Sequence, residues 1–174
     1  MSDSPQELCS GLPMGGRVAV SRVHQLWFRY CDRELTRKVM LPELESAEWN
    51  AWVGTTGERL ARKQIWSNGG KVLYLNYRPT GGGEIDIVAR DGDTLVFTEV
   101  KTRTSERYGR PADAVDRKKQ QLIIRGANAW LRELNLPEVQ FRFDVIEVLL
   151  FEGQPPDIRV IEAAFTSPQT GLGM

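Results

Sequence analysis

Three acidic residues and one lysine fall on the same face of a predicted β-hairpin near the middle of the chain. Two runs of alternating apolar and polar residues, 84–90 and 93–101, flank the pair Asp91-Gly92. An Asp-Gly pair favours a two-residue type I′ turn, so we predict that the two runs pair as antiparallel strands. Side chains alternate with a period of two, which collects polar residues on one face. These residues are Glu84, Asp86, Glu99 and Lys101.

The predicted turn also determines which acidic residues approach one another. With Asp91 and Gly92 at its centre, Asp86 pairs with Phe97, and Glu99 becomes the diagonal neighbour of Asp86, about 7 Å away at Cα. Like charges at that distance repel, and a divalent cation relieves the repulsion because carboxylate oxygens are its natural ligands. The arrangement therefore indicates a hydrolytic metal site, with a lysine placed to stabilise developing negative charge.

A solvated strand face is the alternative explanation, because exposed carboxylates on strands are common. Val88, Leu95 and Phe97 share this face, so the sequence predicts that it is partly buried. Burial favours the metal site over the solvated face.

Composition limits the class of protein. The 174 residues, 41% of them hydrophobic, are enough for one domain with a core, with or without an appendage. There is no apolar run of eighteen residues and no secretory signal pattern, so we expect a cytoplasmic protein without a membrane span. Cys9 and Cys31 lack metal-type spacing and are expected to be free thiols. His24 is the only histidine; we expect it to be a packing or surface residue.

Basic residues are concentrated after the hairpin, although the formal net charge is zero. Residues 100–125 contain eight basic and three acidic side chains, whereas residues 133–174 contain two basic and seven acidic ones. A basic segment beside a carboxylate cluster fits a phosphate-backbone substrate. Plain solvated surface is the commoner explanation of such a run.

Helical patterns flank the strands. An amphipathic helix over residues 23–39 could dock on the domain, form a dimer contact or touch nucleic acid. A second helix over residues 49–67 is expected to break near residues 54–57, where Gly-Thr-Thr-Gly occurs. Glu58 lies on its inward stripe, and an ion pair with Arg62 at i,i+4 explains it as well as a site role does.

The third helix is predicted to run from Pro111 to about residue 134. Lys118 and Lys119 lie on its core stripe, so they either snorkel past the core edge or reach the carboxylates. Gly126 indicates a close approach of this helix to the sheet, and residues 81–83, all glycine, allow a close approach to the hairpin.

Strand patterns cover residues 71–78, the two hairpin runs, 139–150 and 158–164, the last on an edge. The first three strands should be antiparallel, and the crossover helix makes the fourth parallel to the third. We predict a mixed sheet covered by helices. The expected domains are an N-terminal extension at 1–47, a folded domain at 48–165 and a disordered tail at 166–174.

The order of elements and several motifs resemble the YraN family of the PD-(D/E)XK nuclease superfamily, which is similar to archaeal Holliday-junction resolvases. The resemblance covers roughly residues 50–150. It implies an α/β, restriction-endonuclease-like fold with an αβββαβ core. The motifs are Gly57-Glu58, Arg78, Gly83-Glu84-Ile85-Asp86, Leu95-Val96-Phe97, Glu99-Val100-Lys101-Thr102-Arg103, Tyr108-Gly109, Pro111 and Arg142-Phe143-Asp144-Val145.

The resemblance also implies roles for individual residues. Asp86 and Glu99 would bind Mg²⁺ or Mn²⁺ with the Val100 carbonyl, and Lys101 would position the attacking water and stabilise the transition state. Glu58 would complete the catalytic site, and Glu84 would support it. The residues implied to hold the nucleic-acid backbone are Arg103, Tyr108, Arg110, Lys118 and Lys119.

Two functions follow as expectations. One is a metal-dependent endonuclease acting on DNA, including branched or Holliday-junction-like structures. The other is a nucleic-acid-binding or assembly module that keeps the nuclease fold without catalysis. The resolvase resemblance implies a homodimer, because cutting a four-way junction needs two symmetric sites.

Overall fold

Five strands and two long helices form the domain within the described part of the chain. The structure is a computed structural model and describes residues 33–105, 115–135 and 138–167. The elements are α1 Ser46–Ser67, β1 Lys71–Tyr77, β2 Ile85–Asp91, β3 Thr94–Arg103, α2 Arg117–Glu133, β4 Phe141–Leu149 and β5 Asp157–Phe165.

The strands form one mixed sheet in the order β1-β2-β3-β4-β5. β1, β2 and β3 pair antiparallel, and β4 pairs parallel with β3 because α2 carries the chain back across the sheet. β5 returns antiparallel to β4 and forms an edge. This confirms the predicted restriction-endonuclease-like α/β architecture, including its mixed sheet.

Each face of the sheet packs against one helix. Val88 and Phe97 point to one side and form a cluster with Trp130 of α2. Ile87 and Val96, one residue away on the same strands, point to the other side and pack with Leu60 of α1. The strands in the middle of the sheet are therefore buried on both faces.

The hairpin turn differs from the prediction by one residue. Asp91 pairs with Thr94, so the central turn residues are Gly92 and Asp93. Gly92 has φ of +56° and Asp93 has no positive φ, which excludes the predicted type I′ turn. Asp91 instead remains in β2, where its carboxylate accepts a hydrogen bond from Arg142 at 2.9 Å.

Two predicted helix boundaries are also wrong. α1 continues through residues 54–57 without a break, and Thr55 Oγ1 donates a hydrogen bond to the Ala51 carbonyl within the helix. α2 begins at Arg117, not Pro111, because the Asp116 carboxylate accepts a hydrogen bond from the Lys119 amide and caps the helix. Residues 106–114 lie outside the described part of the chain.

The described end of the N-terminal extension docks on the domain. Helical structure ends at residue 35, earlier than the predicted residue 39, because Val39 exchanges backbone hydrogen bonds with Gly153 and Gln154 before β5. Glu34 contacts Arg59 at 2.7 Å and Lys63 at 3.2 Å on α1. The sequence left three alternatives for this segment: docking on the domain, a dimer contact or contact with nucleic acid. Residues 33–45 dock on the domain. The predictions for Cys9, His24 and Cys31 fall outside the described residues.

Two glycines bring α2 against the start of β2. A Cβ atom on Gly83 would lie 2.5 Å from the Gly126 backbone nitrogen, and one on Gly126 would lie 2.9 Å from the Ile85 side chain. The Glu84 amide also donates a hydrogen bond to the Leu122 carbonyl at 3.3 Å. The predicted close approach at Gly126 is confirmed, and it fixes α2 relative to the acidic face of the hairpin.

We expect Gly83→Ala to lower the free energy of unfolding by at least about 3 kcal/mol, measured by urea denaturation. Alanine would meet the α2 backbone, and the glycine has φ of +123°, where a side chain is strained. Gly81→Ala is the matched control: it has open space, so its effect should stay within about 0.5 kcal/mol. Equal effects of the two substitutions would contradict the close approach.

Candidate active site

Asp86 and Glu99 meet at one end of the sheet, on the face covered by α2. Asp86 is 9% exposed and Glu99 is 2% exposed. The β2–β3 ladder ends at the pair Ile87 and Thr98, and Asp86 and Glu99 are the next residues of the two strands beyond it. The prediction made them diagonal neighbours. In the structure each β2 residue pairs with the β3 residue two positions later than predicted, and a shift of two keeps both side chains on the predicted face.

One oxygen of Asp86 is held by the backbone of the neighbouring strand. Asp86 Oδ2 accepts a hydrogen bond from the Val100 amide at 2.8 Å. Burial and then the nearby Glu99 carboxylate raise the pKa of Asp86 to about 7, although the Val100 hydrogen bond and Lys119 oppose the rise. A carboxyl group with so perturbed a pKa in a polar cluster is typical of a functional site.

Two lysines neutralise Glu99 from different elements. Lys101 Nζ lies 2.8 Å from Glu99 Oε1, and Lys119 Nζ lies 3.1 Å from Glu99 Oε2. Lys119 Nζ is also 3.6 Å from Glu84 Oε1, which Arg78 contacts at 3.1 Å. Burial works against the ammonium form of Lys119, but Glu99, Asp86 and Glu84 together raise its pKa. The charges therefore form one connected cluster.

The two lysines at the start of α2 have different positions. Lys119 reaches the carboxylates, and its side chain is 21% exposed. For Lys119 this is the second of the two predicted alternatives, contact with the carboxylates instead of snorkelling past the core edge. Lys118 is exposed. Only Lys118 therefore keeps the open position that a backbone-phosphate contact requires.

Glu58 approaches the cluster from α1. It is half-buried, and its carboxylate accepts a hydrogen bond from the Asn76 side chain at 3.1 Å, so it does not form the alternative ion pair with Arg62. Its charge contributes to the raised pKa of Asp86. Gly57 permits this approach, because a Cβ atom there would overlap the Thr102 side chain of β3.

The remaining predicted contact residues are only partly described. Arg103 ends β3 and is half-buried, whereas Tyr108 and Arg110 lie outside the described residues. A groove of about 490 Å³ runs beside α2 and ends at the last described residues, Thr166 and Ser167. Its lining includes Arg117 and Arg125, two basic residues of the segment that the charge distribution singled out.

Glu147 is the buried residue near this site that sequence reasoning did not single out. It lies on β4, is 2% exposed, and neither of its carboxylate oxygens has a hydrogen-bond partner. Its place in the apolar strand pattern was the available signal, because an ionisable residue at an inward position requires an explanation.

Two carboxylates of the site could take part in holding a divalent cation. Within the described residues, no group of three or more histidine, cysteine, aspartate or glutamate side chains could hold a metal ion. Mg²⁺ is commonly bound by one or two carboxylates and keeps several waters. Asp86 and Glu99 could supply these carboxylates, and the mutual repulsion that raises the pKa of Asp86 would be relieved by a cation.

Fold and site together define an α/β protein with a nuclease-like sheet and a buried carboxylate–lysine cluster at one end. The family model described as "Uncharacterised protein family UPF0102" matches residues 57–148. The chain belongs to this family, which is the YraN family of the sequence resemblance. The matched segment includes Glu58, Asp86, Glu99, Lys101 and Glu147.

Similar proteins occur in several other organisms. A UPF0102 protein of Geobacter metallireducens is 47% identical over 116 residues, covering 67% of this chain and 93% of the relative. One from Geobacter sulfurreducens is 42% identical over 125 residues, 72% of this chain and 97% of the relative. One from Rhodococcus opacus is 40% identical over 116 residues, 67% of this chain and 98% of the relative. Their names state no activity.

Membrane insertion through a helix has no support in the described residues, where neither helix is both long and apolar enough to cross a bilayer.

Proposed function

We propose that this protein is a metal-dependent endonuclease that hydrolyses DNA phosphodiester bonds, including those of branched structures such as Holliday junctions. The observation that carries the proposal is the cluster of two buried carboxylates, Asp86 and Glu99, in which Lys101 and Lys119 both form ion pairs with Glu99. Burying such a cluster is costly for stability, and proteins retain it where the charges act on a ligand.

Each residue of the site has its own role in the proposed reaction. Asp86 and Glu99 would hold Mg²⁺ or Mn²⁺, which when bound supplies positive charge to the scissile phosphate. Lys101 orients the attacking water and stabilises the charge that develops on the phosphate oxygens. Glu58 tunes Asp86 from α1, and Glu84 holds Lys119. Lys118, with Arg117 and Arg125 beside the α2 groove, contacts the DNA backbone.

A second candidate function is nucleic-acid binding without catalysis, in an assembly role. Lys101 and Lys119 both form ion pairs with Glu99 and balance its charge. A site whose charges are balanced internally could therefore persist as a structural remnant beside a basic surface.

Cation binding and cleavage test the two functions together. We expect calorimetry to detect Mg²⁺ or Mn²⁺ binding to the full chain, and the loaded protein to cut a four-way junction, a flap or single-stranded DNA. Asp86→Asn should abolish both while leaving DNA affinity intact, because Asp86 lies away from the exposed basic residues. Salt should weaken DNA affinity steeply if phosphates are contacted.

Two outcomes would decide against the endonuclease. Absence of both cation binding and cleavage, with salt-sensitive DNA binding retained, would favour the second candidate. DNA binding that does not respond to salt would count against both.

A further inference from the structure

Glu147 has no use in the site as described so far. Its side chain is 2% exposed, and both of its carboxylate oxygens lack a hydrogen-bond partner. Such a group costs free energy unless it is satisfied in some state of the protein. A partner that arrives only in another state of the site would account for it.

The strand register places Glu147 beside Lys101. The two residues are partners in the parallel β3–β4 ladder, so their side chains leave the same face at neighbouring strands. Register partners on this face do touch: Phe97 and Phe143, four pairs earlier in the ladder, have ring centroids 5.9 Å apart. A lysine side chain is long enough to move between Glu99 on its own strand and Glu147 on the next.

Each lysine of the cluster competes with a cation for Glu99. Lys101 Nζ and Lys119 Nζ lie 2.8 Å and 3.1 Å from its two oxygens. A cation bound at Glu99 must displace these ammonium groups or weaken their contacts. Lys119 has a second carboxylate within reach, since Glu84 lies 3.6 Å from it. Lys101 makes its described ion pair with Glu99 alone.

We propose that Glu147 is a positioning residue that receives the Lys101 ammonium group when a divalent cation occupies Glu99. This inference rests on the proposed function. Glu147 would serve Lys101 as a second carboxylate partner, as Glu84 serves Lys119. The exchange would keep Lys101 charged and aimed at the reacting phosphate, because the ammonium group moves from one carboxylate to another without leaving the site.

Two arginines also lie close enough to influence Glu147. Burial raises the pKa of Glu147, and the charges of Arg103 and Arg159 oppose the rise. Arg159 is engaged elsewhere, because it donates a hydrogen bond to Asp157 at 2.9 Å and its side chain is 58% exposed. Neither guanidinium hydrogen-bonds to Glu147. Lys101 is the register partner of Glu147 in the β3–β4 ladder, so a small change of its side-chain rotamer is the shortest route to this carboxylate.

A variant without metal tests the exchange directly. Glu99→Gln removes the negative charge that holds Lys101. A cation bound at Glu99 would neutralise the same charge. We expect a crystal structure of this variant to show Lys101 Nζ within hydrogen-bond distance of Glu147. A double-mutant cycle on stability should find coupling between Lys101→Met and Glu147→Gln that is stronger in the Glu99→Gln background than in the wild-type chain. Lys101 pointing to solvent, with no gain in coupling, would overturn the proposal.

Cation affinity provides the second test. We expect Glu147→Gln to weaken Mn²⁺ binding, measured by calorimetry, by about tenfold, because the displaced Lys101 loses its acceptor. Asp144→Asn is the matched control: Asp144 is a buried carboxylate on the same strand that faces the opposite side, and its substitution should leave Mn²⁺ affinity unchanged.

The outcomes separate the inference from the function on which it rests. Equal Mn²⁺ affinity in the wild-type chain and Glu147→Gln would overturn the positioning role and leave the endonuclease proposal standing. A wild-type chain that binds no Mn²⁺ or Mg²⁺ would overturn the proposed function and the positioning role with it. A purely structural role for Glu147 would change the stability of the protein and not its cation affinity.

Discussion

Asp86→Asn is expected to raise the free energy of unfolding of the metal-free protein at pH 8 by about 1–3 kcal/mol. Asp86 is 9% exposed and lies near Glu99, and burial and that carboxylate raise its pKa to about 7. At pH 8 the native state therefore carries a carboxylate that is strained by desolvation and repulsion. Asparagine is nearly the same shape, has no charge, and can still accept the Val100 hydrogen bond.

The sign of the pH dependence follows from the direction of the shift. In the unfolded chain the Asp86 carboxyl has a pKa near 3.8, and in the folded protein near 7. Between these values the folded state binds the extra proton, so the wild-type protein loses stability as pH rises through this window. Below pH 3.8 both states are protonated. The advantage of Asp86→Asn should accordingly be full above pH 7 and vanish near pH 4, measured by urea denaturation in chelator.

Asp144→Asn is the control for a buried carboxylate that is well satisfied. Asp144 accepts hydrogen bonds from Arg142 and from the Ala163 amide, each at 3.0 Å. Burial also raises the pKa of Asp144, although these hydrogen bonds and the charge of Arg142 oppose the rise. Because the substitution gives up the ion pair with Arg142, the gain in stability at pH 8 should be smaller than that of Asp86→Asn. Mn²⁺ should stabilise the wild-type protein and not the Asp86 variant. A loss of stability in Asp86→Asn at pH 8 would show that the carboxylate is not strained.

The face of the sheet that carries the site could be predicted from sequence because it depends only on alternation. The turn was placed one residue too early, which shifted every β2–β3 pair by two positions. A shift of two preserves the face of each side chain, so Asp86, Glu99 and Lys101 remained together. The parallel crossover to β4 was predictable for a similar reason, since a helix between two strands of one sheet gives parallel pairing.

The parts that failed depend on contacts between distant elements. The Gly-Thr-Thr-Gly stretch in α1 signals a helix break by local propensity, but Gly57 is needed for the close approach to Thr102. Helix packing of this kind overrides propensity and leaves no local pattern. Lys118 and Lys119 were indistinguishable by spacing, and only the packing of α2 on the sheet brings Lys119 to Glu99. Glu147 was missed because its neighbour Lys101 is 46 positions earlier in the chain.

Lys101→Met should separate cation binding from cleavage. Lys101 Nζ lies 2.8 Å from Glu99 Oε1, so it would compete with a cation for that oxygen. Removing the ammonium group should therefore tighten Mn²⁺ binding, measured by calorimetry. The same change removes the positive charge that stabilises the transition state, so cleavage at saturating Mn²⁺ should fall by about 10²–10³-fold. Methionine keeps most of the apolar stem and limits the effect on packing.

Lys118→Met is the matched control for this substitution. Lys118 is exposed at the start of α2. Its neighbour Lys119 is the residue that contacts the carboxylates. The control should leave Mn²⁺ affinity unchanged and weaken DNA binding slightly in a salt-dependent manner, because it removes one phosphate contact. Weaker Mn²⁺ binding in Lys101→Met would mean that the lysine supports the cation instead of competing with it. In that case the ion pair of Lys101 with Glu99 would persist when the cation binds, and Lys101 would be a fixed part of the binding site.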